Sequence, residues 1–188
     1  MSAQTTSSNK QLCLALGDFI LAFSQLCGIL EYVALYLICR SGPQDLYDRA
    51  SASISELTAK PLSNIVFSLI VQAGPERWSA ADLAIIKTYR KELDALIEER
   101  NRIVHDVWAS ASVEPNEAME KLWKRYRRRL SPKTGVNIQY ASVTVSDLQI
   151  QSKQARKLFV LIQNIAVTST SEIYIPLARV VDAAKKNI

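Results

Sequence analysis

The 188-residue chain is 48% hydrophobic and 22% charged, enough apolar surface to bury a core, which excludes an intrinsically disordered chain. Five glycines and six prolines punctuate it too sparsely for a sandwich of short strands, so long helices are favoured. The formal charge of +5 is a modest excess whose distribution matters more than its total, and a single histidine excludes a histidine-rich metal centre.

Residues 1–9 are polar and uncharged and are expected to form a disordered tail rather than a secretory leader. Residues 10–188 then form one helical domain, with a core over 10–110 and a basic helix, a hairpin and C-terminal helices over 111–188. Residues 10–40 predict one long helix with few exposed positions, ended by Ser41-Gly42-Pro43. Its stretch 12–39 is apolar enough to pose the question of a membrane span. Asp18, Ser24, Gln25 and Glu31 interrupt that run, which favours a buried core helix and no membrane partner. Cys13, Cys27 and Cys39 all lie there, odd in number and without a C-x-x-C pair. They predict buried free thiols in a reducing cytoplasm.

A short polar helix is expected over 44–57. Pro61 suits the first turn of a helix reaching about Ala73, and Gly74-Pro75 breaks the chain. Ser79 and Asp82 form a capping-box pair opening a helix to about Ala109. Its apolar positions Leu83, Ile86, Tyr89, Leu93, Leu96, Ile97, Ile103, Val104 and Val107 repeat at three- and four-residue spacing. Residues 115–130 predict a basic helix starting at Pro115, and Ser131 to Gly135 a turn. The β-branched, alternating stretch 136–145 predicts a strand or short hairpin packed on the helices. Ser146 and Gln149 resemble a further capping box for a helix over 147–168, and Pro176 starts a last helix to about Lys186. The expected class is an all-α bundle with a small β-hairpin or strand insertion near 136–145.

Residues 99–108, ERNRIVHDVW, hold the constellation that carries chemistry. Asn101 and His105 are four apart and share a helix face. Arg100 sits about 140° around an ideal helix from His105, within swing of its long side chain. A guanidinium binds phosphate oxygens bidentately and stabilises added negative charge. An imidazole can give or take a proton near neutral pH. Together they suit a phosphodiester, and no metal or cofactor is needed if the attacking group is the ribose 2′-hydroxyl of RNA. Such cleavage needs an acid and a base, which a two-fold dimer would provide by bringing two copies of His105 to one cleft. The spacing alone also fits surface ion pairs, with Arg102 four residues from Glu98 and His105 beside Asp106.

The longer string, with Arg100, the polar Asn101 immediately after it, His105 and then the aromatic Trp108, resembles the signature of the HEPN superfamily. The hallmark of that superfamily is an arginine separated from a histidine by four to six residues. The stretch GDFILAFSQLCGILEYVALYLI, with Glu31 in an apolar run, is similar to the opening helix of such domains, and the resemblance covers roughly residues 10–108. It implies an all-α bundle, a homodimer with both motifs lining a shared cleft, and metal-independent endoribonuclease activity. The associated systems are toxin–antitoxin pairs, phage defence and RNA processing, with an antitoxin or other protein as partner. Toxins of this family silenced by a nucleotidyltransferase often carry a tyrosine two residues after the histidine. Val107 stands there in this chain, so the resemblance does not extend to that control.

Residues 121–133 contain seven basic side chains and no acidic one. Lys121, Lys124, Arg125, Arg127, Arg128 and Arg129 are candidates for RNA phosphate contacts, with Trp123 and Tyr126 interleaved for stacking or for packing inward. Glu31 is a candidate for orienting Arg100 through a charge-assisted hydrogen bond. Two rival readings are a non-catalytic module that holds RNA or a nucleotide and a structural domain that binds another protein through its apolar first helix.

Overall fold

The computed structural model describes residues 3–40, 42–73, 76, 78–105, 107–110, 123–131, 135–171 and 173–185, with the backbone alone for 3–9, 107–110, 123–131, 135–142 and 185. These residues are mostly helical. In chain order they form α1 (Ala3–Cys39), α2 (Gln44–Ile54), α3 (Ala59–Ala73), α4 (Ala80–His105), β1 (Val107–Ser110), β2 (Trp123–Ser131), β3 (Gly135–Val143), α5 (Val145–Thr170) and α6 (Leu177–Lys185).

α1 is the centre of the fold and packs on α2, α3 and, most extensively, α5. Its buried positions include Leu12, Ala15, Phe19, Ala22, Leu26, Ile29, Leu30 and Val33, the spacing that keeps one side of a helix against its neighbours. Phe67 and Ile70 of α3, Leu93 and Leu96 of α4 and Leu158, Leu161 and Ile165 of α5 complete the same core. Each such side chain removed from water contributes about 1.5–3 kcal/mol. Ion pairs lie around the helix seams. Asp18 of α1 pairs with Arg156 of α5, whose guanidinium holds the Asp18 carboxyl below its ordinary value. Glu92 of α4 accepts from Gln154 at 2.6 Å and from Lys157 at 3.1 Å, both on α5.

Several sequence expectations are corrected. The backbone of residues 3–9 continues α1 rather than forming a tail. One side of α1 is open to solvent, with Leu14 64% and Tyr32 60% exposed, where few exposed positions were expected. Among the described residues it is the one helix long and apolar enough to cross a membrane, with a window of mean hydropathy 1.9. The cysteines are free but not fully buried, Cys13 being exposed and Cys27 and Cys39 half-buried. α4 stops at His105, so Val107 to Ala109 belong to β1 instead of the helix. Leu83 and Val104 face solvent, while Asp82 takes a buried position on α4.

The expected basic helix is also overturned where it is described, because 123–131 is β2. β2 is the middle strand of an antiparallel sheet ordered β1-β2-β3, with Val107 opposite Tyr126 and Arg128 opposite Ile138. A middle strand receives backbone hydrogen bonds from both sides, which overrides the helix preference of its lysine and arginine residues. Residues 115–122 lie outside the described residues.

α5 is capped by Thr144 and Asp147, not by Ser146 and Gln149. The Asp147 amide donates to Thr144 Oγ1 at 3.0 Å, and the Thr144 amide donates back to Asp147 Oδ2 at 2.8 Å. This reciprocal pair satisfies donors that the first helical turn leaves open. Thr144→Ala is expected to cost about 1 kcal/mol. The check is a lower denaturant midpoint at unchanged slope.

Candidate active-site groove

The last turns of α4 are anchored by Leu93, Leu96, Ile97 and Ile103, all buried. With that side inward, Asn101 and His105 fall on the solvent side, and both are exposed. A groove of about 610 Å³ runs along this end of the helix. One wall is α1, through Ile20, Phe23, Ser24 and Cys27, a run at helical spacing. Another is the entry to α3, through Thr58, Ala59 and Lys60, and the third is α4 itself, through Ile97, Arg100, Asn101 and His105. The structure therefore brings Arg100, Asn101 and His105 to one groove, and His105 is not packed into the core.

Arg100 is held from two sides. Its guanidinium carbon lies 5.6 Å from the centroid of the buried Phe23 ring, within range of a cation–π contact. Its Nη1 donates to Asn101 Oδ1 at 3.2 Å. The neighbouring Arg102 has a different occupation, pairing with Glu98 at 3.4 Å and Glu99 at 3.5 Å on the surface. Exposed pairs of that kind contribute about 0–1 kcal/mol. The surface ion pairs left open by the sequence thus fall to Arg102, and Arg100 faces the groove.

Among the described residues Glu31 makes no ion pair or hydrogen bond with Arg100, so it does not take the orienting role expected of it; Arg100 contacts Phe23 and Asn101. Glu31 acts instead on Cys27, one turn earlier on α1. Burial pushes the Cys27 thiol up to about 11, the nearby Arg100 charge opposes that rise, and Glu31 adds to it. The thiol is therefore neutral near physiological pH and unsuited to act as a nucleophile. Iodoacetamide is expected to alkylate Cys27 about a hundredfold more slowly at neutral pH than a thiol of the ordinary value 9.0. Mass-spectrometric labelling kinetics would read that ratio.

Lys121 lies outside the described residues, and so do the side chains of Lys124, Arg125, Arg127, Arg128 and Arg129. Their backbones are placed on β2, where Arg125 is the register partner of Trp108, three residues after His105 in the chain. Phe23, Cys27, Thr58 and Lys60 line the groove without any motif to mark them in the sequence. The available signals were the one-faced spacing of 20, 23, 24 and 27 and the place of Lys60 beside the helix-starting Pro61. In comparisons with known proteins, no family model, no curated protein and no solved structure matches the chain.

Proposed function

We propose that this chain is a metal-independent endoribonuclease of the HEPN type, a helical bundle that acts on RNA as a homodimer. The observation that carries the reading is that Arg100, Asn101 and His105 line a single groove, with the histidine exposed and the arginine braced against Phe23. His105 takes the proton of the ribose 2′-hydroxyl as its oxygen attacks the adjacent phosphorus. Arg100 binds the non-bridging oxygens and stabilises the charge that builds on them. Asn101 hydrogen-bonds the phosphate or the ring of His105. The departing 5′-oxygen receives a proton from the partner subunit's His105, and the products are a cyclic 2′,3′-phosphate end and a free 5′-hydroxyl. The basic β2, paired with the strand that follows His105, supports RNA as the substrate. An enzyme of this kind serves as a toxin, a phage-defence effector or an RNA-processing factor in the cytoplasm, where an antitoxin or similar protein can restrain it.

The test is digestion of structured and unstructured RNAs by wild type and His105→Ala in excess chelator. Cyclic-phosphate ends produced by wild type alone are the expected result. Equal cleavage by both proteins, or none by either, would overturn the proposal.

A further inference from the structure

The groove has a second fixed cation. Lys60 lies in the first turn of α3, opposite the α4 wall that carries Arg100. Its Nζ stands 2.6 Å from Asp94 Oδ1 of α4, and its side chain remains 50% exposed. The contact is an ion pair rather than a hydrogen bond, so the ammonium is held beside α4 while its N–H donors remain for a ligand. Ser24, Thr58, Asn101 and His105 supply the rest of the polar lining among the described residues, which include no carboxylate in the lining itself. Cations on two walls, from two different helices, create a channel complementary to a chain of phosphates. A volume of about 610 Å³ is on the scale of a small-ligand site.

Resting on the ribonuclease reading, we infer that Lys60 binds a phosphate flanking the scissile one, with the RNA strand laid between the start of α3 and the end of α4. Lys60 is then a substrate-binding residue of this groove, and Asp94 is the residue that positions it.

The experiment measures fluorescence anisotropy of a labelled 2′-O-methyl oligouridylate, which has no free 2′-hydroxyl to attack. It compares the full chain, Lys60→Ala and Lys60→Arg across a salt series, beside the chelated cleavage assay. Loss of one phosphate contact on a single strand is expected to flatten log Kd against log salt by about 0.7 and to weaken binding about threefold to tenfold. Lys60→Arg should restore the wild-type slope, which a folding defect in the alanine variant could not mimic. If Lys60→Ala binds with the wild-type slope while wild type cleaves, the inference fails and the ribonuclease reading stands. If the slope depends on Lys60 but wild type does not cleave, the reading fails and the phosphate site stands. If wild type neither binds nor cleaves, both fall.

Discussion

His105→Ala is expected to reduce RNA cleavage about a hundredfold to ten-thousandfold, the range that a positioned proton-transfer group supplies. The fold should be unaffected by that change. His105 is exposed in the last turn of α4, and substitutions at such positions usually shift stability by no more than about 0.5 kcal/mol. A melting temperature equal to wild type, together with lost cleavage, therefore assigns the effect to chemistry. The sequence holds one histidine, so acid and base must come from two chains if both are imidazoles. Specific activity should then rise with protein concentration through the range in which the dimer assembles. Activity that stays constant down to the lowest dilution, with a monomer in sedimentation, would contradict the shared cleft.

Asp82→Ala is expected to give the largest loss of stability, about 3 kcal/mol. Asp82 is only 2% exposed and accepts from four donors. Ser79 Oγ lies at 2.7 Å and the Ser79 amide at 3.1 Å, closing the cap of α4. The Tyr174 hydroxyl at 2.6 Å and the Leu177 amide at 2.9 Å belong to the segment entering α6. One carboxylate therefore caps one helix and fastens the start of another. Alanine would leave the Leu177 amide buried without its acceptor. For a chain of this length the loss corresponds to a melting temperature lower by about 6–12 °C. Amide exchange in α6 should rise more than in α1, because α6 loses its tether first.

The pH dependence follows from the same group. Burial alone would push the Asp82 carboxyl up, but the bonds from Tyr174, Ser79 and Leu177 overcome it and hold the group below the ordinary 3.8. A depressed value means that the folded state releases the proton more readily than the unfolded chain. This stabilisation is full above the unfolded value and is lost as pH falls through the folded one. Wild type should thus lose stability on acidification below the ordinary carboxylate range, and Asp82→Asn should lose that share of the dependence. Parallel acid-denaturation profiles for the two proteins would refute the assignment.

The helices were legible where apolar spacing and punctuation agree. Ser41-Gly42-Pro43 after α1 and Ser79 with Asp82 before α4 are local signals, and local physics reads them directly. The basic segment was not legible, for an identifiable reason. Leu122, Trp123, Tyr126 and Leu130 repeat at helical spacing among lysines and arginines that favour helices. What makes 123–131 a strand is pairing with 107–110 and 135–143, a non-local cause that no short window contains. Similarly, T-x-x-D and S-x-x-Q patterns two residues apart compete to cap α5, and only the register of the helix decides for Thr144. At the site, the arginine, asparagine and histidine were visible as a motif. The groove walls were not, because packing between helices distant in sequence brings Phe23 to Arg100 and Lys60 to the same groove.

The partnership of α1 with α5 has a consequence for synthesis. The Asp18–Arg156 contact joins residues 138 positions apart, so the helix forming one groove wall emerges long before the helix that covers it. At about 5–20 residues per second, translation leaves this apolar segment uncovered for about 7–28 seconds. Its mean hydropathy of 1.9 makes it a ready client for chaperones at the ribosome during that interval. The groove wall formed by α1 is therefore complete only after α3 and α4 have followed it, and its far side is covered only once α5 has been made.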